Sequence, residues 1–431
     1  MFKILVVWCV LYKVLQAAPS VPENEGFLQN PRYYTYDELT NVFRKLETEN
    51  PDIAKLISVG RSVKNRELWA IHINSNVHNR TLLTPMFKYV ANMHGDESIG
   101  RQLMIYLAEY LILNYGKIDR VTHLVDTVDI FLMPSMNPDG YENSQEGKCD
   151  SKLRYVGREN ENGVDLNRDF PDQFETHRAG TIIAGRQPET IAIMTWIISR
   201  PFVLSGNLHG GAVVASYPYD DSNLNLECCR ESKSPDNEIF KELALLYAQN
   251  HELMKTGQAC KNDNFPQGIT NGAYWYEVKG GMQDFNYVKS NCFEVTFELS
   301  CCKFPNASTL QQEWSINKGP LLSFMEAVHW GVKGLVLNTR GDPVLDADIV
   351  VKGINHNITT SNRGEYWRLL LPGTYEIFVV AFGYYPSEPA VVEVVRDKTT
   401  IQNFTLKLLP QQGNNFMEKG GTIDYKWLWN I

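Results

Sequence analysis

His94 and Glu97 lie three apart within residues 87–100, just past a short apolar, β-prone run at 86–91. In a turn or a first helical turn, residues three apart project to the same side. A neutral imidazole and a carboxylate on one side supply two of the three protein ligands of a catalytic zinc site, whose fourth position holds water. His-x-x-Glu alone is a weak signal, because nine histidines and 50 acidic residues produce such pairs by chance. His209 is the candidate third ligand. It ends an apolar run and precedes Gly210 and Gly211, which let backbone approach a ligand closely. Asp165-Leu-Asn167-Arg168 adds a different pattern. A guanidinium beside an amide clamps a carboxylate, since arginine binds both oxygens at once; the blander alternative is a surface loop with ordinary salt bridges. Glu298 stands inside the apolar run 293–299. An unpaired buried charge is costly, so Glu298 must face solvent or a site. Near a metal it would take a proton from bound water. Glu294, in the same run, reads as an outward-facing position in a two-residue period.

These residues need elements to hold them. Residues 35–50 have the apolar spacing of an amphipathic helix, with Leu39, Val42, Phe43 and Leu46 on one face and Pro51 as its stop. Strands are expected at 57–59, 68–73, 86–91, 128–133, 202–208 and 293–299, and a turn at Asn137-Pro-Asp-Gly140. Helices are expected at 102–113, 187–199, 237–255 and 311–329. This alternation predicts an α/β fold with a mixed, mainly parallel sheet flanked by helices. In such sheets ligands collect at the carboxyl ends of strands, where His94, His209 and Glu298 all fall. The character changes at Gly331. Residues 332–409 carry short β-rich runs separated by Gly, Pro and Asn, as in a small all-β sandwich. The expected organisation is a leader at 1–18, a catalytic unit at 19–331, the sandwich at 332–409 and a polar tail at 410–431 with an aromatic end.

The leader follows from Lys3, the apolar run 4–15 interrupted by Tyr12 and Lys13, and Ala17-Ala18-Pro19, which read as a secretory signal cut near Ala18. No later stretch is apolar enough for a transmembrane segment. Secretion makes Cys149, Cys228, Cys229, Cys260, Cys292, Cys301 and Cys302 disulfide candidates. Seven is odd, so at least one is free or pairs with another chain; the connectivity stays open. Sequons at Asn79, Asn306, Asn357 and Asn403 fit a glycosylated secreted protein. The net charge of −9 argues against nucleic acid and for cationic substrates, though it also serves solubility alone.

Taken together, the motifs resemble the regulatory branch of the zinc metallocarboxypeptidases, the group with carboxypeptidases N, E, M and D. The matching stretches are Asn92-Met-His-Gly-Asp-Glu97, Pro134-Ser-Met-Asn-Pro-Asp-Gly140, Asp165-Leu-Asn-Arg-Asp-Phe-Pro-Asp172, Asn207-Leu-His-Gly-Gly211, Gly268-Ile-Thr-Asn-Gly272, Gly280-Gly-Met-Gln-Asp-Phe-Asn-Tyr287 and Glu294-Val-Thr-Phe-Glu-Leu-Ser300. The β-rich remainder is similar to that branch's transthyretin-like domain. The resemblance implies one zinc ion per chain, bound by His94, Glu97 and His209, with Asp165 orienting a ligand imidazole. It implies that Asn167 and Arg168 bind the substrate's C-terminal carboxylate and that Tyr276 closes over it. Arg158 would stabilise the oxyanion, and Glu298 would act as general base and acid. Tyr217-Pro-Tyr-Asp220 and Gln283 match the branch's pocket for C-terminal Arg or Lys, with Asp221 as a neighbour that could point in instead.

The reading is therefore a secreted carboxypeptidase acting on peptides or proteins ending in Arg or Lys. Two rivals remain open: an inactive binding protein on the same fold, and an active enzyme with neutral preference. Nothing in the sandwich residues points to a ligand of its own, and packing against the first unit is the simpler role.

Overall fold

The computed structural model describes residues 22–149, 156–174, 182–224 and 230–410. The expected leader, the tail beyond Pro410, and Cys228 and Cys229 lie outside the described residues.

Thr35 opens α1 (Tyr36–Glu49) with a capping box: its hydroxyl accepts from the Glu38 N–H, and the Glu38 carboxylate accepts from the Thr35 N–H. β1 (Ala54–Arg61) and β2 (Glu67–Ile73) pair antiparallel. β3 (Met86–Ala91) runs into α2 (Ser98–Asn114), which starts before the expected 102 and is buried nearly all round. α3 (Asp119–Thr127) lies where no helix is expected, its Val and Thr being poor helix formers. After β4 (Asp129–Met133), the expected turn is a short helix, α4 (Pro138–Asn143). Asn137 caps it by accepting from the Gly140 N–H at 2.9 Å, and Pro138 takes the first helical position, where a missing N–H costs nothing. There follow α5 (Pro188–Ile198), β5 (Phe202–His209), β6 (Val213–Tyr217), α6 (Asn237–Asn250), β7 (Ile269–Asn271), α7 (Gly272–Trp275), α8 (Met282–Lys289), β8 (Phe293–Leu299) and α9 (Leu310–Glu326).

The eight strands form one mixed sheet in the order β1-β2-β4-β3-β5-β8-β6-β7. Its centre, β4-β3-β5-β8, is parallel and fully buried, as expected where helices cover both faces. β3, β5 and β8 are neighbours, so their carboxyl ends open on one crevice.

One expectation is corrected here. Glu294 does not face solvent: it is fully buried. Its carboxylate lies 3.3 Å from the buried Lys88 Nζ and accepts from Ser205 Oγ at 2.5 Å. The two-residue period does hold: Glu294 shares a face with Thr296 and Glu298, and on that face protein covers Glu294 while Thr296 and Glu298 line a cavity.

From Val332 onward no helix occurs among the described residues. β9 (Val332–Asn338), β12 (Glu365–Arg368), β15 (Thr400–Ile401) and β16 (Phe404–Leu406) form one sheet. β10 (Asp348–Val351), β11 (Ile358–Thr359), β13 (Gly373–Val380) and β14 (Ala390–Val394) form the other. This unit packs against the first. Arg368, fully buried, donates to both oxygens of Asp236 at 2.8 and 3.1 Å, and Tyr287 donates to the same carboxylate at 2.8 Å. His356 stacks on Tyr287 at 3.8 Å. Removing one partner of a buried ion pair strands the other charge. Arg368→Met is therefore expected to lower unfolding free energy by about 3 kcal/mol in urea titration; a loss near zero would show that the contact contributes nothing.

Candidate active site

Asn92, in the left-handed region at φ 57°, shapes the turn after β3. Its side-chain amide donates to the carbonyls of His94, Gly95 and Glu97 at 2.9, 2.9 and 3.0 Å. The turn thereby presents His94 and Glu97 together. His209 closes β5, directly opposite Glu298 on β8 in register.

The ligand atoms of His94, Glu97 and His209 lie within 4.8 Å of one another, and all three residues are buried. This is the one such trio of metal-binding residue types among the described residues. His94 Nε2 is 2.9 Å from Asp165 Oδ1, which fixes that nitrogen as the proton carrier. Nδ1 is then a lone pair 3.0 Å from Glu97 Oε1, and it makes no hydrogen bond. His209 Nδ1 sits 2.9 Å from Glu97 Oε2. A ring lone pair facing a carboxylate in a buried site is satisfied by a cation between them, so the residues fit a zinc ion. Burial opposes the Glu97 charge, but His94, Lys303 and His209 hold its carboxyl well below the usual range. Burial likewise opposes the Asp165 charge, and the hydrogen bond from His94 with the Arg158 guanidinium overcomes it, holding the carboxyl below its usual range.

A cavity of about 540 Å³ opens on this trio. It brings together nearly all the residues expected there: Arg158, Asp165, Asn167, Arg168, Asp220, Tyr276 and Glu298 line it. Arg158 donates to Asp165 Oδ2 at 2.8 Å and to Glu97 Oε1 at 3.3 Å. Asn167 Oδ1 accepts from the Met282 N–H at 3.0 Å, which leaves its amide nitrogen as a donor. Glu298 is 7% exposed, and its Oε2 has no hydrogen-bond partner. Burial first, and then the Glu97 charge, push its carboxyl up to about 7.

Also in the lining, Asp220 accepts from Gln283 Nε2 at 2.7 Å, and Gln283 Oε1 accepts from the Thr296 N–H at 2.8 Å. Gln283 itself sits just behind the lining, on α8. Gly272 allows this: a Cβ there would fall 1.8 Å from Asp220 Oδ1. Asp221 does not line the cavity; it turns to Asp172 and to the Ser222 N–H. Asp284 accepts from the N–H groups of both Asp220 and Asp221. Asp284 and Lys303 are site residues that sequence reasoning missed. Nothing in the sequence around Lys303 marks it, because only the fold brings Gly210 and Glu97 to its ammonium.

Cys149 is bonded to Cys302 and Cys260 to Cys301, while Cys292 is free and buried. Asn79, Asn306 and Asn403 are exposed and Asn357 is half-buried. Among the described residues no helix is long and apolar enough to cross a membrane.

A zinc carboxypeptidase sequence profile matches residues 39–319, and a carboxypeptidase regulatory-like domain profile matches 331–407. Carboxypeptidase D of Drosophila melanogaster is 52% identical over 397 residues, covering 92% of this chain and 28% of that protein. The chain thus spans under a third of the carboxypeptidase D relatives it matches. The human carboxypeptidase N catalytic chain is 43% identical over 395 residues, covering 87% of this chain and 86% of that one. Crystal structures of thrombin activatable fibrinolysis inhibitor and of carboxypeptidase A from Helicoverpa armigera superpose with TM-scores of 0.54 and 0.54, at 20% and 18% identity. Each covers 68% of this chain, and the superposition takes in 74% and 73% of the respective structures. At that identity they show the fold alone. The chain belongs to the zinc carboxypeptidase family, in the regulatory branch that contains carboxypeptidases D and N.

Proposed function

We propose that the chain removes single C-terminal Arg or Lys residues from peptides and proteins by hydrolysis, in the secretory pathway or outside the cell. The observation that carries the basic preference is the buried Asp220–Gln283 pair, whose Asp220 lines the cavity. Gln283 is held at both ends of its amide, so it fixes the Asp220 carboxylate without neutralising it. A cationic side chain pairs with that carboxylate, whereas a neutral one leaves it buried and unpaired.

The Asn167 amide nitrogen and the Arg168 guanidinium take the substrate's terminal carboxylate, and Tyr276 closes over it. His94, Glu97 and His209 would hold one zinc per chain. When bound, zinc supplies Lewis-acid polarisation of the scissile carbonyl and lowers the pKa of a water toward about 7. Asp165 keeps the His94 lone pair aimed at the ion. Glu298 takes a proton from the attacking water and passes it to the leaving amine. Arg158 donates to the oxygen on which negative charge develops. The products are one free amino acid and a peptide shortened by one residue. The set is complete, which disfavours the inactive reading.

The test is release of C-terminal Arg from a short peptide beside the same peptide ending in Leu, with and without a zinc chelator. The expected result is chelator-sensitive cleavage of the Arg peptide, with far slower cleavage of the Leu peptide. Cleavage of the Leu peptide instead would keep the chemistry and discard the pocket. Cleavage of neither, by folded protein with zinc bound, would favour a binding role.

A further inference from the structure

Lys303 lies outside every motif that carries the family resemblance, yet its ammonium reaches the metal-binding trio. Lys303 Nζ contacts Glu97 Oε1 and donates to the Gly210 carbonyl at 3.0 Å. The Gly210 N–H donates to the other carboxylate oxygen, Glu97 Oε2, at 3.2 Å. One lysine thus ties the turn that carries Glu97 to the strand end that carries His209.

Its backbone is unusually well anchored. Cys302 and Cys301, the two residues before it, are bonded to Cys149 and Cys260. The Lys303 carbonyl accepts from the Ser98 N–H at 3.0 Å and from Ser98 Oγ at 3.4 Å. The side chain also has a cleared path. Gly211 adopts φ 123°, and a Cβ there would stand 3.2 Å from Lys303 Nζ. A flexible four-carbon side chain loses rotamer freedom when it is fixed. That loss is offset here by two oxygen acceptors in a buried site, whereas a solvated lysine would gain nothing from this geometry.

We propose that Lys303 is a positioning residue for metal binding: beside Arg158 it holds Glu97 Oε1 while Gly210 holds Oε2, and so sets the Glu97 carboxylate at one spacing from His209. The proposal rests on the reading of His94, Glu97 and His209 as the zinc ligands. Partners that orient a metal ligand typically contribute 10–100-fold to metal affinity.

The experiment uses the full chain and zinc alone, with affinity measured by competition against a chromogenic chelator and no substrate present. Lys303→Met is expected to weaken zinc binding at least tenfold. Lys303→Arg, which keeps the charge and a donor, is expected to recover most of that loss. The metal-free protein is expected to melt lower, because the buried Glu97 carboxylate loses a partner, and the rise on adding zinc, measured from each variant's own metal-free value, should shrink. If Lys303→Met does not fold, Lys303→Gln carries the same expectation. Zinc bound by Lys303→Met or Lys303→Gln as tightly as by wild type, or more tightly, would overturn the proposal. His209→Ala serves as the control: if it binds zinc as well as wild type, the trio itself is misassigned and the failure lies there rather than with Lys303.

Discussion

Replacing Glu298 with Gln is expected to lower kcat/KM for peptide hydrolysis by roughly 10³-fold while zinc stays bound. Gln keeps the size and most of the shape, so the buried strand position is not disturbed. What it removes is the ability to accept a proton from water and return it to the leaving amine. Glu298 is directly opposite His209 in the strand register, and its Oε2 is buried without a partner, so the carboxylate is not committed to holding the fold together. Glu97→Gln makes the contrasting case: it weakens a ligand, so it should lose zinc and activity together. Steady-state kinetics with metal analysis of the same samples separates the two. Full activity in Glu298→Gln would remove Glu298 from the chemistry, and parallel loss of zinc would recast it as part of the metal site.

The central strands were legible in the sequence because their apolar runs are short and end in polar turns. β3 and β8 fall where the runs at 86–91 and 293–299 put them. β6 and β7 were not legible. β7 is three residues long, and β6 joins the sheet through antiparallel pairing with β8, a long-range contact that leaves no periodic mark. In the site, the candidate ligands stand out because histidine and glutamate at or just past strand ends carry chemistry that packing does not need. Glu294 shows the limit of this logic. Its two-residue period was read correctly, but no pattern within β8 reveals that Lys88, some two hundred residues earlier, lies within 3.3 Å of it. Lys303 was hidden for a related reason. A single lysine after a strand is unremarkable until the fold brings Gly210 and Glu97 to its ammonium.

Replacing Asp220 with Ala is expected to cost about 4 kcal/mol of transition-state binding for a peptide ending in Arg, roughly 10³-fold in kcat/KM. For a peptide ending in Leu the loss should be small, because no cation is there to lose its partner. The wild-type pH dependence carries an independent mark of the same group. In the free protein burial pushes the Asp220 carboxyl up to about 7, with Arg168 opposing and Glu294 adding to the rise. Below that pH the group is protonated and neutral, and a cationic side chain must expel the proton before it can pair. The kcat/KM for Arg should therefore fall, relative to Leu, as the pH drops through about 7. Taking the Arg-to-Leu ratio cancels the titration of Glu298 and of the metal site, which both substrates share. In Asp220→Asn the ratio should be low and flat with pH. Its backbone N–H still donates to Asp284 and its side-chain oxygen can still accept from Gln283, so this part of the lining keeps its shape. Equal losses for Arg and Leu in Asp220→Ala would place the cation elsewhere in the cavity. A wild-type ratio independent of pH would mean that Asp220 is already ionised before substrate arrives, as the nearby Arg168 charge alone would favour.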